Sequence, residues 1–177
     1  IRFLWPIFRA AIERTEAAVG PLALVIPTVP NVVPRVRQLV AEWGHPAILL
    51  EDHTQKFAAF EAADVALAAS GTVSTELALC ATPMVIGYRV GALTAAIAMR
   101  YIRVEYITLI NLILKRKAIP EFVQNDCTPE ALSAELIRLI TTPSARIAQV
   151  TASAAGVKAL GLGEEKPSMR ATRAVLS

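Results

Sequence analysis

Aromatic residues and cysteines are scarce in this 177-residue chain, and a GxGxxG signature is absent from it. Phe, Tyr and Trp together make up 6% of the residues, so the core has to be built from Ala, Leu, Ile and Val. The two cysteines, Cys80 and Cys127, form no CxxC pair and indicate neither a zinc site nor a disulfide scaffold, which favours a reducing cytosol. A nicotinamide-dependent dehydrogenase is disfavoured as well, because Gly161-x-Gly163 lacks both a third glycine and a preceding strand.

Charge is also sparse, at 19% of the residues, and Lys plus Arg exceed Asp plus Glu by three. That excess suits an anionic ligand or a membrane surface. Nucleic acid is not an expected partner, because the basic residues do not alternate with aromatics in a binding motif. An uncharged stretch runs from Ala17 to Pro34, but Gly20 and four prolines within it would break a membrane-spanning helix.

Short apolar runs alternate with segments of helical periodicity. We predict strands in the runs 22–26, 47–50, 65–69 and 83–88. Such strands, apolar on both faces and separated by helices, predict an α/β fold with a Rossmann-like parallel sheet flanked by helices. We expect one domain over residues 1–160, and a tail or short helix over 161–177.

The segments between the strands carry helix signals. We predict a first helix ending near Gly20, a second between Pro34 and Gly44, and a later one over 93–102. Residues 106–109 are predicted to be extended and to lead into a loop with Asn111. Three further helices are predicted to be capped by threonine, at Thr54, Thr128 and Thr142. The last of these helices is expected to bury an apolar face formed by Ile147, Val150, Ala154 and Val157.

The segment Ser70-Gly71-Thr72-Val73-Ser74-Thr75-Glu76 lies between a predicted strand and a predicted helix. Gly71 permits a tight turn and a close approach of backbone to ligand, and a helix N-terminus offers free N–H groups and positive dipole to phosphate. Glu76, one turn into the helix, can accept hydrogen bonds from two adjacent sugar hydroxyls. An ordinary capped helix with a surface glutamate has the same spacing, so both interpretations stay open at this point.

Two blocks of sequence resemble one family. SGTVSTELALCATPMVIGYRV is similar to the SGT-x-x-x-E…PMV-x-x-YR signature of the lipid-A-disaccharide synthases. YITLINLILKRKAIPEFVQNDCTPEAL resembles the Y-x-S-L-P-N-L…PEL-x-Q block of the same family. The two blocks occur in the family's order, and the resemblance extends over about residues 64–136. The resemblance implies the C-terminal, nucleotide-sugar-binding half of a GT-B glycosyltransferase.

Site residues follow from the resemblance. It implies that Ser70, Gly71 and Thr72 hold the donor diphosphate and that Glu76 binds the ribose. Arg89 would offset phosphate charge, although a solvated arginine at a strand end is the alternative. Asn111 and Gln124 match polar positions of the family that face the donor sugar and nucleotide. Each can instead be an ordinary loop amide.

The resemblance also implies a reaction without a metal or cofactor. UDP-2,3-diacylglucosamine would react with 2,3-diacylglucosamine 1-phosphate, with inversion at the anomeric carbon and release of UDP, in the cytoplasm at the periphery of the inner membrane. The general base is expected in an N-terminal acceptor domain. The family's GSR-x-x-E segment, with a first strand, is expected to precede Ile1, so we expect this chain alone to be inactive.

Departures and alternatives remain. Thr108 and Ile110 stand where the family has Ser and Pro. A sugar-nucleotide epimerase-like GT-B domain and a non-catalytic interaction domain are the alternative functions.

His53 lacks companion ligands at metal spacing. Lys115, Arg116 and Lys117 are three consecutive cations. They face anionic lipid or an acceptor phosphate in one interpretation, and they form a solvated surface in the other.

Overall fold

The computed structural model describes residues 2–52, 55–91 and 105–162. Within these ranges two parallel sheets are present, one with the order β1-β2 and one with the order β3-β4-β5. The strands match the four predicted apolar runs and add a fifth strand that the sequence interpretation did not include. They are β1 (Leu24–Pro27), β2 (Ala47–Leu50), β3 (Ala66–Ala69), β4 (Met84–Tyr88) and β5 (Glu121–Val123).

Helices connect the strands. Four of the described helices have proline as their first or second residue, because its missing N–H is not needed in the first turn. Thr128 caps one of these helices by accepting a hydrogen bond from Ala131 N. Gly44 ends the second helix in the left-handed conformation. The helices are α1 (Trp5–Val19), α2 (Val33–Trp43), α3 (Lys56–Ala62), α4 (Thr72–Leu79), α5 (Leu109–Leu114), α6 (Pro129–Thr141) and α7 (Pro143–Ala159).

Both faces of the β3-β4-β5 sheet are covered. Met84 and Ile86 of β4 pack in a cluster with α4, α5 and α7, whereas Val85 between them packs with α1 and α6 on the opposite face. Alternate side chains of a strand point to opposite faces, so a strand buried on both sides is apolar throughout. This arrangement confirms the predicted α/β fold with parallel strands flanked by helices.

The start of β4 is anchored from a helix. The side-chain amide of Gln149, on α7, accepts a hydrogen bond from Met84 N at 2.6 Å and donates one to Met84 O at 3.0 Å. Both groups are buried, so the polar side chain satisfies backbone groups that water does not reach.

The buried face of α7 differs from the predicted one. Ile147 is 66% exposed, and the buried residues are Gln149, Ala152, Ser153, Gly156 and Val157. A Cβ atom at Gly156 would lie 2.9 Å from Ile110 Cγ2 of α5. The close approach of the two helices therefore selects small residues, and the apolar periodicity that included Ile147 was wrong as a guide to the core.

The segment before α5 also differs from the prediction. Thr108 has the predicted extended backbone, with φ −94° and ψ 138°, but Leu109 begins α5, and Asn111 lies within this helix and not in a loop. The predicted cap Thr54 and the predicted helix over 93–102 lie outside the described residues. The same holds for the predicted tail over 161–177, except for its first two residues. Gln55 is the N-cap residue of α3. The expectation of an additional first strand stays a prediction.

Candidate functional site

The predicted site residues follow three neighbouring strands. Ser70 comes directly after β3, Arg89 after β4 and Gln124 after β5. Because these strands are parallel, their carboxyl ends meet at one edge of the sheet, where ligands of open α/β sheets bind. The fold thus brings the three loops together.

Gly71 has a backbone conformation that side chains rarely allow. Its φ and ψ are 146° and −162°, and a Cβ built there would meet no atom within 4 Å. The backbone conformation, and not contact with neighbouring atoms, therefore disfavours a side chain at Gly71. The open space above the residue allows a ligand to approach the backbone closely. Gly71 is the N-cap of α4, so the free N–H groups of that helix begin here, and Thr72 is exposed beside it.

A hydrogen-bonded clamp connects this loop to the segment before α5. Ser70 Oγ donates to the carbonyl oxygen of Ile107 at 3.1 Å. The Glu121 carboxylate, 7% exposed, accepts from Ile107 N at 3.0 Å and from Thr108 N at 2.9 Å. We call Ser70, Glu121 and the two residues they hold the 107–108 clamp. The Ser70 hydroxyl hydrogen is engaged in this clamp, and a phosphate contact from Ser70 stays a prediction.

Glu76 forms an ion pair that the sequence motif did not reveal. Its Oε1 lies 2.7 Å from Nζ of Lys56, on α3, and both side chains are partly exposed. Lys56 Nζ also lies 4.8 Å from the ring centroid of Phe57. Lys56 was missed because it belongs to no motif and meets Glu76 only through the packing of α3 near α4.

Asn111 is fully buried. Its Nδ2 donates to Ile119 O, and its Oδ1 accepts from Ala118 N and Ile119 N, each at 2.8 Å. The amide thereby shapes the turn between α5 and β5. In this structure the side chain supports the backbone of the turn, and its contact with the donor sugar or nucleotide stays a prediction.

Gln124 and Arg89 remain accessible at the same edge. Gln124 is partly exposed and has a φ of 53°, which is uncommon for a residue other than glycine and is found at functional sites. Arg89 is exposed. Nearby, burial raises the pKa of the Cys127 thiol, and the Arg89 charge opposes this rise. A guanidinium therefore lies next to the ends of β4 and β5.

Two findings concern the described residues as a whole. None of their helices combines the length and the apolar character needed to cross a membrane. In the same ranges no three His, Cys, Asp or Glu side chains are grouped so that they could hold a metal ion.

A family model described as lipid-A-disaccharide synthetase matches residues 1–174. The chain belongs to this family. The lipid-A-disaccharide synthase of Rhodospirillum centenum is 43% identical over 174 residues, which is 98% of this chain and 43% of the relative. Those of Ruegeria pomeroyi and Bradyrhizobium diazoefficiens are 40% and 41% identical and are covered over 44% and 45% of their length.

The lipid-A-disaccharide synthase relatives thus extend well beyond this chain, which spans less than half of their length. Membership of the family confirms the resemblance drawn from the two sequence blocks. It also agrees with the parallel α/β architecture around β3, β4 and β5.

Proposed function

We propose that this chain is the donor-binding half of an inverting glycosyltransferase that makes lipid A disaccharide. The donor would be UDP-2,3-diacylglucosamine, the acceptor 2,3-diacylglucosamine 1-phosphate, and the products the β-1′,6 disaccharide and UDP. The observation that carries the proposal is Gly71, which opens the N-terminus of α4 to a ligand at the carboxyl edge of the sheet, one turn before Glu76.

The diphosphate would lie against the backbone of Gly71 and Thr72. Backbone N–H groups and the α4 dipole favour an anion there, and Arg89 adds a full positive charge with a forked set of donors. As the bond to the sugar breaks, negative charge grows on the leaving UDP. These groups would stabilise that charge in the transition state without a metal ion.

The ribose would bind to Glu76. Lys56 holds Oε1 of this carboxylate, which orients the group and leaves Oε2 for a ribose hydroxyl. A hydrogen bond to a charged acceptor is worth about 1.5–3 kcal/mol, and removing it is expected to weaken binding by about ten- to a hundredfold.

The remaining predicted residues divide by accessibility. Gln124 would contact the nucleotide or sugar, whereas Ser70 and Asn111 would act by holding the loops around the donor. The general base that deprotonates the acceptor hydroxyl is expected in an N-terminal acceptor domain, so this chain alone would bind donor and not transfer sugar. The complete enzyme would work in the cytoplasm, peripherally associated with the inner membrane.

UDP binding by this chain tests the proposal. Amide NMR spectra recorded during titration with UDP should show shifts in the parent, and Glu76→Gln should bind about tenfold or more weakly. Glu42→Gln, an exposed glutamate on α2, is the matched control and should bind as the parent does. The 2′-deoxy analogue of UDP should bind the parent more weakly than UDP, and Glu76→Gln should remove that difference.

Well-dispersed spectra that do not change at millimolar UDP would refute the donor-binding assignment. Equal binding by the parent and Glu76→Gln would refute the ribose contact alone.

A further inference from the structure

Glu121 is a buried acidic residue at the first position of β5. It is the register partner of Ile86 in β4, so its side chain points to the same face of the sheet, the face that α4, α5 and α7 cover. One carboxylate oxygen accepts from Ile107 N and the other from Thr108 N. Among the described residues no cation forms an ion pair with Glu121. Backbone N–H groups are therefore its partners in this part of the chain.

A carboxylate is a costly group with which to hold two backbone amides. Burial penalises its charge, whereas a neutral amide or hydroxyl accepts hydrogen bonds at a lower desolvation cost. The segment that it holds carries a second cost, because the Thr108 hydroxyl is 1% exposed and has no hydrogen-bond partner within the described ranges. Costs of this kind concentrate where function demands a defined position. Together they indicate that the position of residues 107 and 108 matters beyond stability.

Glu121 and Ser70 hold opposite sides of one peptide unit. The carbonyl of Ile107, to which Ser70 donates, and the N–H of Thr108, which donates to Glu121, belong to the same planar peptide group. Because this group does not twist, fixing its N–H also fixes the direction of its carbonyl. Ser70 directly precedes Gly71, the N-cap of α4. The carboxylate thus determines where the carbonyl that anchors the Ser70–Gly71 loop lies.

We propose that Glu121 is a positioning residue for donor binding. Through the Ile107–Thr108 peptide and Ser70 it sets the position of Gly71 at the N-terminus of α4. The inference rests on the proposed function, because the donor diphosphate is the ligand that this loop would hold. Glu121 is buried beneath the clamp and acts through Ser70, without touching the donor itself.

A double-mutant cycle on UDP binding by the full chain tests this relay. Ser70→Ala removes the anchoring hydroxyl, and Glu121→Gln keeps the size of the side chain but leaves one oxygen to accept two N–H groups. Each substitution alone should weaken UDP binding about two- to tenfold, the range that one net hydrogen bond is worth. In the Ser70→Ala background, Glu121→Gln should add less than about a twofold loss, because the relay is already broken.

Gln149→Ala is the matched control. It also removes two hydrogen bonds between a buried side chain and the backbone of the β3-β4-β5 sheet, but at the start of β4 and not at the carboxyl edge. Urea unfolding should show a lowered midpoint for this variant, as for Glu121→Gln. Its UDP affinity should nevertheless stay within about twofold of the parent, because no relay leads from Gln149 to Gly71.

Amide NMR spectra recorded without UDP give a readout that does not depend on the ligand. Glu121→Gln should shift the resonances of Gly71 and Thr72, and Gln149→Ala should leave them in place. Where Glu121→Gln does not fold, Ser70→Ala tests the relay from its other end, since it should shift the Thr108 amide that donates to Glu121.

Three results would overturn the inference: independent, additive losses in the cycle, unchanged Gly71 resonances in Glu121→Gln, or a loss of UDP affinity in Gln149→Ala as large as in Glu121→Gln. For Ser70→Ala alone, an unmoved Thr108 amide would do the same. A parent that does not bind UDP contradicts the proposed function, and the resonances of Gly71 then decide the coupling. Binding by the parent that Glu121→Gln leaves unchanged contradicts the positioning role alone.

Discussion

Replacing Asn111 by alanine is expected to unfold the chain at much lower denaturant concentration. The substitution removes three hydrogen bonds of 2.8 Å and leaves the N–H and the C=O of Ile119 without their partner, whereas the N–H of Ala118 also donates to the carbonyl oxygen of Arg116 at 2.9 Å. Ile119 is fully buried and Ala118 is partly exposed. An unsatisfied buried backbone group costs roughly 1–3 kcal/mol, so the two groups of Ile119 should together cost about 2–6 kcal/mol.

Such a loss is a substantial fraction of the net stability of a domain, which is about 5–15 kcal/mol. Urea unfolding followed by circular dichroism, with the fluorescence of Trp5 and Trp43 as a second probe, measures it directly. Asn125→Ala is the control, because Asn125 is exposed and its replacement should change stability by less than about 0.5 kcal/mol.

An Asn111→Ala variant within about 1 kcal/mol of the parent would refute the reasoning, because the buried amide would then not be needed for the turn. A variant that is equally stable and yet binds UDP a hundredfold more weakly would go further. It would return Asn111 to the role suggested by family resemblance, a direct contact with the donor.

Three other predictions concern the site and its surroundings. Gly71→Ala forces a side chain into a glycine conformation, so urea unfolding should show a loss of about 1–3 kcal/mol together with weaker UDP binding by calorimetry; unchanged affinity would contradict a backbone contact. Lys56→Met should change stability by less than about 1 kcal/mol, because the Lys56–Glu76 pair is partly exposed, but it should weaken UDP binding. Lys56→Arg should restore UDP binding. Equal UDP affinity of Lys56→Met and the parent would exclude the orienting role of Lys56. Burial raises the pKa of Cys127 above its ordinary value of 9.0, so the thiol of the unfolded chain ionises first and the free energy of unfolding should fall as pH rises above that value. Cys127→Ala should reduce this fall when stability is measured by urea unfolding at several pH values. An unchanged dependence of stability on pH would contradict the role of Cys127.

Local signals in the sequence predicted much of the fold. The four apolar runs became β1 to β4 because each is short, apolar on both faces and bounded by turn residues. Thr128 was predicted as a cap from its position before Pro129, and its side chain accepts the expected hydrogen bond. Family membership was likewise predicted from spaced motifs, since several blocks in order are more specific than one.

Features that depend on packing between distant segments were not predictable in this way. β5 is only three residues long, follows a proline and contains Glu121, so it lacks the apolar pattern of a strand. The Lys56–Glu76 pair needs the docking of α3 near α4. Asn111 illustrates the converse difficulty, because the sequence places a polar residue near a proposed site, whereas its burial and its bonds to Ala118 and Ile119 are visible only in the structure.

The amide of Gln149 has a consequence for how the molecule opens. Its two bonds to Met84 imitate those of an adjacent strand residue, although Gln149 lies 65 residues away on a helix. The Met84 amide proton can exchange with solvent only when its bond to Gln149 breaks, and we expect this to happen when α7 leaves the sheet. We therefore expect detachment of α7 and exposure of the central strand to be one cooperative event, so that α7 reports on the integrity of the sheet beneath the site.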